Sequence, residues 1–150
     1  MPTYACYGHR GQLTAERKAD IAAGVAQIHS RFTGAPVWFT QCVFHELDAD
    51  DHFIGDKPAP PNGVWVYGHI RAERSPSART HILLAIRDHL MRVLHIPESV
   101  VWVYLNELSH TDMVEFGHVL PQAGDEQNWV NDLPADLRDH VTALGNRRRA

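Results

Sequence analysis

The sequence predicts a fold of the α/β (α+β) class, in which two β-α-β units form one four-stranded mixed sheet with both helices on one face. Two observations predict it. The order of strand, polar helix start, amphipathic helix, proline and strand occurs twice along the 150 residues. An offset of 61 positions superimposes the copies without a gap, placing Thr14 on Ser75 and Pro36 on Pro97. Two such units with right-handed crossovers can merge their sheets into one layer.

The first repeat begins with a strand over Pro2–Tyr7, followed by a helix for which Thr14 is a suitable N-cap. Gly34 and Pro36 end this helix. Aromatic and β-branched residues then predict a strand over Val37–Leu47. The apolar residues of the helix recur at helical spacing at Ile21, Val25, Ile28 and Phe32.

The second repeat follows a polar, proline-containing loop over Asp48–Asn62. Its strands are predicted over Val64–Ile70 and Val100–Leu105, and its helix starts at Ser75-Pro76 and ends before Pro97. The apolar face of this helix is predicted to consist of Leu83, Ile86, Leu90 and Val93.

The C-terminal extension over 109–150 is predicted to contain a short helix or turn around Met113–Val119, a loop around Gly124 and a last helix from about Pro134. Its Arg147-Arg148-Arg149 run is expected to be a solvated tail. Because the two repeats, at about 2–47 and 63–108, are each too small to fold alone, 1–150 is predicted to be one domain. Oligomerisation is expected, because large aromatic residues supply more apolar surface than two helices can cover: Trp38, Phe39, Trp65, Tyr67 and Trp102.

Composition excludes several classes of function. The chain has 14 basic and 18 acidic residues and a net charge of −4, which disfavours nucleic acid as a partner. No apolar run approaches the roughly 20 residues of a membrane span, and the N-terminus does not resemble a secretory signal, so a cytoplasmic location without a membrane partner is expected. Cys6 and Cys42 are expected to be buried reduced thiols. The 11 histidines form no HxH or HExxH pattern, so no metal site is expected.

Pro2 is the first candidate for chemistry. It follows the initiator methionine, and a small second residue favours removal of that methionine, which would leave Pro2 with a free secondary amine. An α-amino group has a pKa of about 7.7 to 8.0, so it can act as base or acid near neutral pH. The alternative is that the chain begins with Met-Pro and Pro2 has no catalytic role.

Arg71 and Arg74 lie at the end of the predicted third strand, where two guanidinium groups can hold one carboxylate. The alternative is a solvated turn in which Glu73 pairs with either arginine. His29 lies at the edge of the apolar face of the first helix, where the second repeat has Leu90; a histidine satisfied at the helix end is the alternative there.

Tyr104 lies on the predicted fourth strand and Glu115 in the turn after it, with a core tyrosine and an exposed carboxylate as the alternatives. Taken together on a duplicated chain, six residues resemble the tautomerase superfamily, specifically its cis-3-chloroacrylic acid dehalogenase group: Pro2, His29, Arg71, Arg74, Tyr104 and Glu115. The segments Trp102–Tyr104, Met113–Gly117 and Leu120–Gln122, with Gly124 and Trp129, extend the resemblance over nearly the whole chain.

The resemblance implies a cytoplasmic homotrimer that needs no metal or organic cofactor, with its active site around the amino-terminal proline. In that group Arg71 and Arg74, assisted by His29, would bind the carboxylate of a small unsaturated acid. Glu115 and Tyr104 would activate a water for attack at C3, and protonated Pro2 would deliver a proton to C2. The implied product from haloacrylates and acetylenic acids is malonate semialdehyde.

Two other interpretations stay open. A deprotonated Pro2 would suit keto-enol tautomerisation of an arylpyruvate or a dienol acid, the base chemistry typical of the wider superfamily. The element order also describes ferredoxin-like binding modules, including RNA-recognition domains, although the strand Val64–Ile70 lacks their basic and aromatic pattern.

Overall fold

The structure, a computed structural model, describes residues 1–145. Its strands are β1 (Thr3–His9), β2 (Gln41–Leu47), β3 (Phe53–Ile54), β4 (Lys57–Pro58), β5 (Val64–Arg71), β6 (Val101–Leu108), β7 (Val114–Glu115) and β8 (His118–Val119). Its α-helices are α1 (Ala15–Thr33), α2 (Pro76–Leu94), α3 (Glu126–Asp132) and α4 (Ala135–Gly145).

A four-stranded mixed sheet in the order β2-β1-β5-β6 forms the centre of the fold. Within each repeat the two strands are parallel, β1 with β2 and β5 with β6. The repeats meet through the antiparallel pair β1 and β5, in which Thr3 lies opposite His69. The predicted mixed sheet is therefore confirmed, and the start of β1 lies beside the end of β5.

Both long helices pack on one face of this sheet, as predicted. They have the same length of 19 residues, and their N-caps are the predicted Thr14 and Ser75, whose side chains accept hydrogen bonds from Arg17 N and Ala78 N. α1 and α2 approach closely where a Cβ on Gly24 would lie 2.0 Å from His89 Nε2. Glycine at this position therefore permits the helix contact.

The core lies between the sheet and these helices, and its α2 face differs slightly from the prediction. Ile86 and Leu90 are buried as expected, whereas Leu83 and Val93 are only half-buried. Ile82 and Leu94 are buried instead. The predicted stripe was therefore displaced by one residue at each end, because in an apolar segment several stripes satisfy helical spacing.

The prediction of one strand over Val37–Leu47 was wrong at its start. Val37–Phe39 forms a 3₁₀ turn, in which Phe39 N donates to Pro36 O at 2.9 Å, and β2 begins only at Gln41. Phe39 is buried among residues of the C-terminal extension. A tertiary contact thus overrides the local strand preference of these residues.

The extension is more ordered than predicted. Met113–Val119 contains the hairpin β7–β8, whose turn residues Phe116 and Gly117 both have positive φ, so the expectation of a turn is met and that of a helix is wrong. The segment after Gly124 forms the unpredicted helix α3, and the last helix starts at Ala135, close to the prediction. The Arg147-Arg148-Arg149 tail lies outside the described residues.

The sheet face turned away from α1 and α2 carries aromatic side chains. Tyr7 stacks on His45 and on Trp65, with ring centres 4.6 and 5.3 Å apart. We call this the open face. On the helix side, Cys6 is buried and Cys42 half-buried, both as free thiols. Among residues 1–145, no helix has the length and apolarity needed to cross a membrane.

Candidate active site

The start of β1, the end of β5 and the C-terminal extension meet at one end of the sheet. Pro2 is buried there, and its carbonyl accepts a hydrogen bond from Gln41 N at 2.9 Å. Continuing the antiparallel register of β1 and β5 by two residues brings Met1 opposite Arg71. The antiparallel junction of the repeats therefore places the chain's amino end beside the strand end that carries the predicted arginine.

The carboxylate of Glu115 lies next to the amino terminus of the chain. The Met1 α-amino group forms a hydrogen-bonded ion pair with the carboxylate of Glu115, which β7 presents. Burial lowers the pKa of this amino group, against the opposing effect of Glu115. The nitrogen of Pro2 is three covalent bonds from the Met1 nitrogen. Two of the predicted residues, Pro2 and Glu115, are thereby brought together.

His29 is buried on α1. Its Nδ1 atom lies 2.8 Å from the hydroxyl oxygen of Tyr4 on β1. Burial, together with the charges of Arg74, Arg71 and the amino terminus, lowers the pKa of His29 to about 3. The imidazole is therefore neutral at neutral pH. A Tyr4 hydroxyl that donates to Nδ1 leaves the imidazole proton on Nε2, where it can be donated to a ligand.

Arg71 is fastened to the C-terminal extension. Its Nη1 donates to the carbonyls of Pro121 and Gln122 at 2.8 and 3.2 Å, and its Nη2 forms an ion pair with Glu126. Glu126 in turn accepts from Gly124 N at 3.0 Å. Within the described residues, Nε of Arg71 has no hydrogen-bond partner, so Nε is left for a ligand carboxylate, whereas Nη2 is already paired with Glu126.

Glu126 is the site residue that sequence reasoning missed. Burial raises its pKa, but the hydrogen bond from Arg71 outweighs this, together with backbone contacts, and the net shift is downward. From the sequence, Glu73 is the candidate partner of the arginines because it lies between them. Glu126 follows Arg71 by 55 positions and begins a helix that the sequence did not predict, so no local signal pointed to it.

Arg74 lies near Arg71, and its backbone N donates to Glu107 Oε1 at 3.3 Å, but its guanidinium forms no ion pair within residues 1–145. Its Nη1 donates to the Thr33 carbonyl at 3.2 Å, and its Nε is buried without a partner among the described residues. Burial and the charge of Arg71 lower the pKa of Arg74. The cluster thus combines three cations, two guanidinium groups and the α-amino group, with the two anions Glu115 and Glu126. One positive charge remains for a monoanionic ligand.

Tyr104 lies apart from these residues within one subunit. It is 50% exposed on the open face, with its ring centre 5.9 Å from that of Trp65. On β6 it is the register partner of Tyr67. Tyr67 precedes Arg71, the last residue of β5, by four residues, so Tyr104 lies about 13 Å from Arg71 along the strand direction. The structure brings five of the six predicted residues to one end of the sheet and leaves Tyr104 on its face.

Open space adjoins the amino terminus. A pocket of about 380 Å³ is lined by Met1, Thr3, Gln41, Val114, Glu115 and Phe116. A second, of about 460 Å³, shares Met1 and Gln41 with it. For metal ligation, no group of three His, Cys, Asp or Glu side chains with suitable geometry occurs in the part of the chain that the structure describes. The described residues at this end supply an amino group, two carboxylates, two guanidinium groups and one imidazole.

Comparison with known proteins identifies the family. The family described as “Putative oxalocrotonate tautomerase enzyme” matches residues 1–132. The chain belongs to this tautomerase family. One similar solved structure is the crystal structure of N1, a member of the cis-3-chloroacrylic acid dehalogenase family. Its sequence is 33% identical to this chain, and the match covers 94% of this chain and 99% of N1 with a TM-score of 0.88. The predicted resemblance to that group is confirmed.

Other solved structures support the fold. Native Ps01740 is 29% identical over 75% of this chain and 99% of its own, with a TM-score of 0.71. A chain of the F6 fused 4-OT asymmetric trimer is 22% identical in sequence, and the match covers 78% of this chain and 94% of that chain with a TM-score of 0.72. At this identity the likeness is one of fold alone. None of the curated proteins matches the chain in sequence. The chain is thus a tautomerase-fold member of a catalytic family.

Proposed function

We propose that this protein catalyses the cofactor-independent hydration and hydrolytic dehalogenation of small unsaturated carboxylic acids to malonate semialdehyde. The substrates are cis-3-haloacrylates and acetylenic acids. The observation that carries the proposal is the contact between the buried amino terminus and Glu115, beside the guanidinium groups of Arg71 and Arg74. An acid, a base and an anion-binding group therefore adjoin one small ligand.

The reaction begins once Met1 has been removed and Pro2 carries a secondary amine. Arg71 and Arg74, with the Nε2 proton of His29, bind the substrate carboxylate and draw electron density from C3. Glu115 takes a proton from water as the water oxygen bonds to C3, and protonated Pro2 gives a proton to C2. With a haloacrylate, the resulting halohydrin loses hydrogen halide and yields the aldehyde. With propiolate, the enol product tautomerises to the same aldehyde.

Tyr104 acts in the site of a neighbouring subunit in the expected homotrimer. Its place on the open face, half exposed and away from its own amino terminus, supports this assignment. Co-expressed Glu115→Gln and Tyr104→Phe subunits, each inactive or impaired alone, should form mixed trimers that regain activity, since some sites then combine both native residues. Purification through different C-terminal tags isolates the mixed species. Mixed trimers no more active than the two parents would contradict a shared site.

The first test is a proton NMR time course with untagged protein whose lack of Met1 is verified by intact mass. The candidate substrates are cis-3-chloroacrylate, trans-3-chloroacrylate and propiolate, and Pro2→Ala is the control. Malonate semialdehyde or its decarboxylation product should form with the wild-type protein only. If no acid is converted, hydration is not the function.

The second candidate is keto-enol tautomerisation of an arylpyruvate or dienol acid with Pro2 as base. The lowered pKa of the half-buried Met1 amino group supports it, because an amine in the same surroundings is more often neutral. Glu115→Gln separates the two candidates. For hydration the loss of the base should lower kcat by about 10²- to 10⁴-fold, whereas a tautomerase should keep much of its rate. Hydration that persists in the Glu115→Gln variant would contradict the proposed mechanism.

A further inference from the structure

The side chain of Met1 fills an apolar pocket. It is only 18% exposed, although chain ends are usually exposed and poorly packed. It packs against an apolar cluster whose buried members are Phe39, Met113 and Leu120, and against which Trp38, Leu108 and Trp129 also pack. Phe39 and Leu120 are almost completely buried. The protein therefore has a preformed apolar recess that accepts the four non-hydrogen atoms of an unbranched side chain.

This recess, which we call the Met1 pocket, adjoins the charged groups of the site. Leu108 is the register partner of Arg71 on the neighbouring strand. Leu120 directly precedes Pro121, whose carbonyl accepts the Arg71 hydrogen bond at 2.8 Å. The backbone of the residue that fills the pocket contacts Glu115. A ligand bound by Arg71 and placed next to Glu115 thus has the Met1 pocket at its apolar end.

The Met1 pocket becomes available to a ligand when Met1 is removed, a step on which the proposed function rests. We propose that this pocket is a subsite for an apolar substituent of the substrate. The preferred substrate class is then unsaturated monocarboxylates of about five to six carbons, rather than three-carbon acids, which would leave the pocket unfilled. Burial of one methylene group strengthens binding about fourfold, so the pocket discriminates strongly by chain length.

Saturated straight-chain carboxylates test the subsite without depending on turnover. The wild-type sequence is prepared in two forms, with Met1 removed and, from cells in which methionine aminopeptidase is inhibited, with Met1 retained. Intact mass verifies each form, so the matched control needs no substitution. Calorimetry then gives Kd for propanoate, butanoate, pentanoate and hexanoate with both forms.

In the form without Met1, Kd should fall about fourfold per methylene from propanoate to pentanoate. In the form that retains Met1, whose side chain already fills the pocket, Kd should not depend on chain length. A flat series in the processed form, or the same gradient in both forms, would overturn the inference. The gradient without turnover of any unsaturated acid would instead leave the subsite in place and reject hydration.

The same series in unsaturated form connects the subsite to the reaction. With propiolate, 2-butynoate, 2-pentynoate and 2-hexynoate, addition of water to C3 and a proton to C2 gives an enol that becomes the 3-oxo acid. Proton NMR should show kcat/KM rising with chain length. Turnover of propiolate with no gain for the longer acids would retain the proposed function and overturn the substrate class.

Discussion

His29 shows how much of a residue's chemistry is decided by its surroundings. In water its imidazole would be partly protonated near neutral pH. Here burial, followed by the charges of Arg74 and Arg71, lowers the pKa to about 3. The residue is consequently a neutral hydrogen-bond donor or acceptor, and it adds no positive charge to that of the two guanidinium groups and the α-amino group.

The pH dependence of stability follows from this shift. The unfolded chain binds a proton at His29 near pH 6.5, and the folded protein does so only near pH 3, so the contribution of His29 to stability is complete above pH 6.5 and is lost as pH falls toward 3. The Tm of His29→Gln should therefore decline less on acidification from pH 7.5 to 5 than that of the wild type. The exposed His140 provides the control, since His140→Gln should keep the wild-type slope. Equal slopes in all three proteins would contradict the lowered pKa.

At the scale of elements, the C-terminal extension completes the site. The hairpin β7–β8 brings Glu115 to the amino terminus, and α3 brings Glu126 to Arg71. Both contacts hold the extension against the same end of the sheet. Substitution of either carboxylate therefore removes a contact between the extension and this end of the sheet.

Loss of the Glu126 carboxylate should destabilise the fold. Arg71 is 8% exposed, and Glu126→Ala would remove its only carboxylate contact among the described residues. A charge-assisted hydrogen bond contributes about 1.5 to 3 kcal/mol, so the free energy of unfolding should fall by about that amount in urea titrations. Asp132 is exposed on the same helix, and Asp132→Ala should have little effect. Similar losses in both variants would show that the helix, and not the ion pair, is responsible.

The whole molecule carries apolar surface that one subunit leaves uncovered. Phe53, Ile54 and Tyr104 are exposed beside the aromatic rings of the open face. Such a surface is typical of subunit interfaces. The proposed homotrimer would cover this surface.

Sedimentation equilibrium should give three times the chain mass of 16.9 kDa. Phe53→Asp places a charge in the open face and should shift the protein toward monomers. Leu84→Asp provides the matched control, since Leu84 is 45% exposed on α2, compared with 53% for Phe53, but lies in the helix layer. A trimer that survives Phe53→Asp, or one that Leu84→Asp dissociates equally, would place the interface elsewhere.

The sequence alone determined the duplicated architecture, because the signals for it are local. Thr14 and Ser75 cap helices through hydrogen bonds within one turn, and Gly34 ends α1 with a left-handed residue. The apolar spacing predicted the centre of each buried face, Ile21 and Val25 on α1 and Ile86 and Leu90 on α2, whereas the other predicted residues are half-buried. The resemblance of six scattered residues to one enzyme group could also be recognised from the sequence alone.

Only the tertiary structure decided how the site is assembled. Tyr4 and His29 are 25 residues apart, Arg71 and Glu126 are 55, and Met1 and Glu115 are 114. No local preference encodes such pairs, since each depends on where the antiparallel junction of the repeats and the path of the extension bring the side chains. The separation of Tyr104 from the other five residues has the same origin: its strand carries it to the open face, and distance in space is a property of the packed chain.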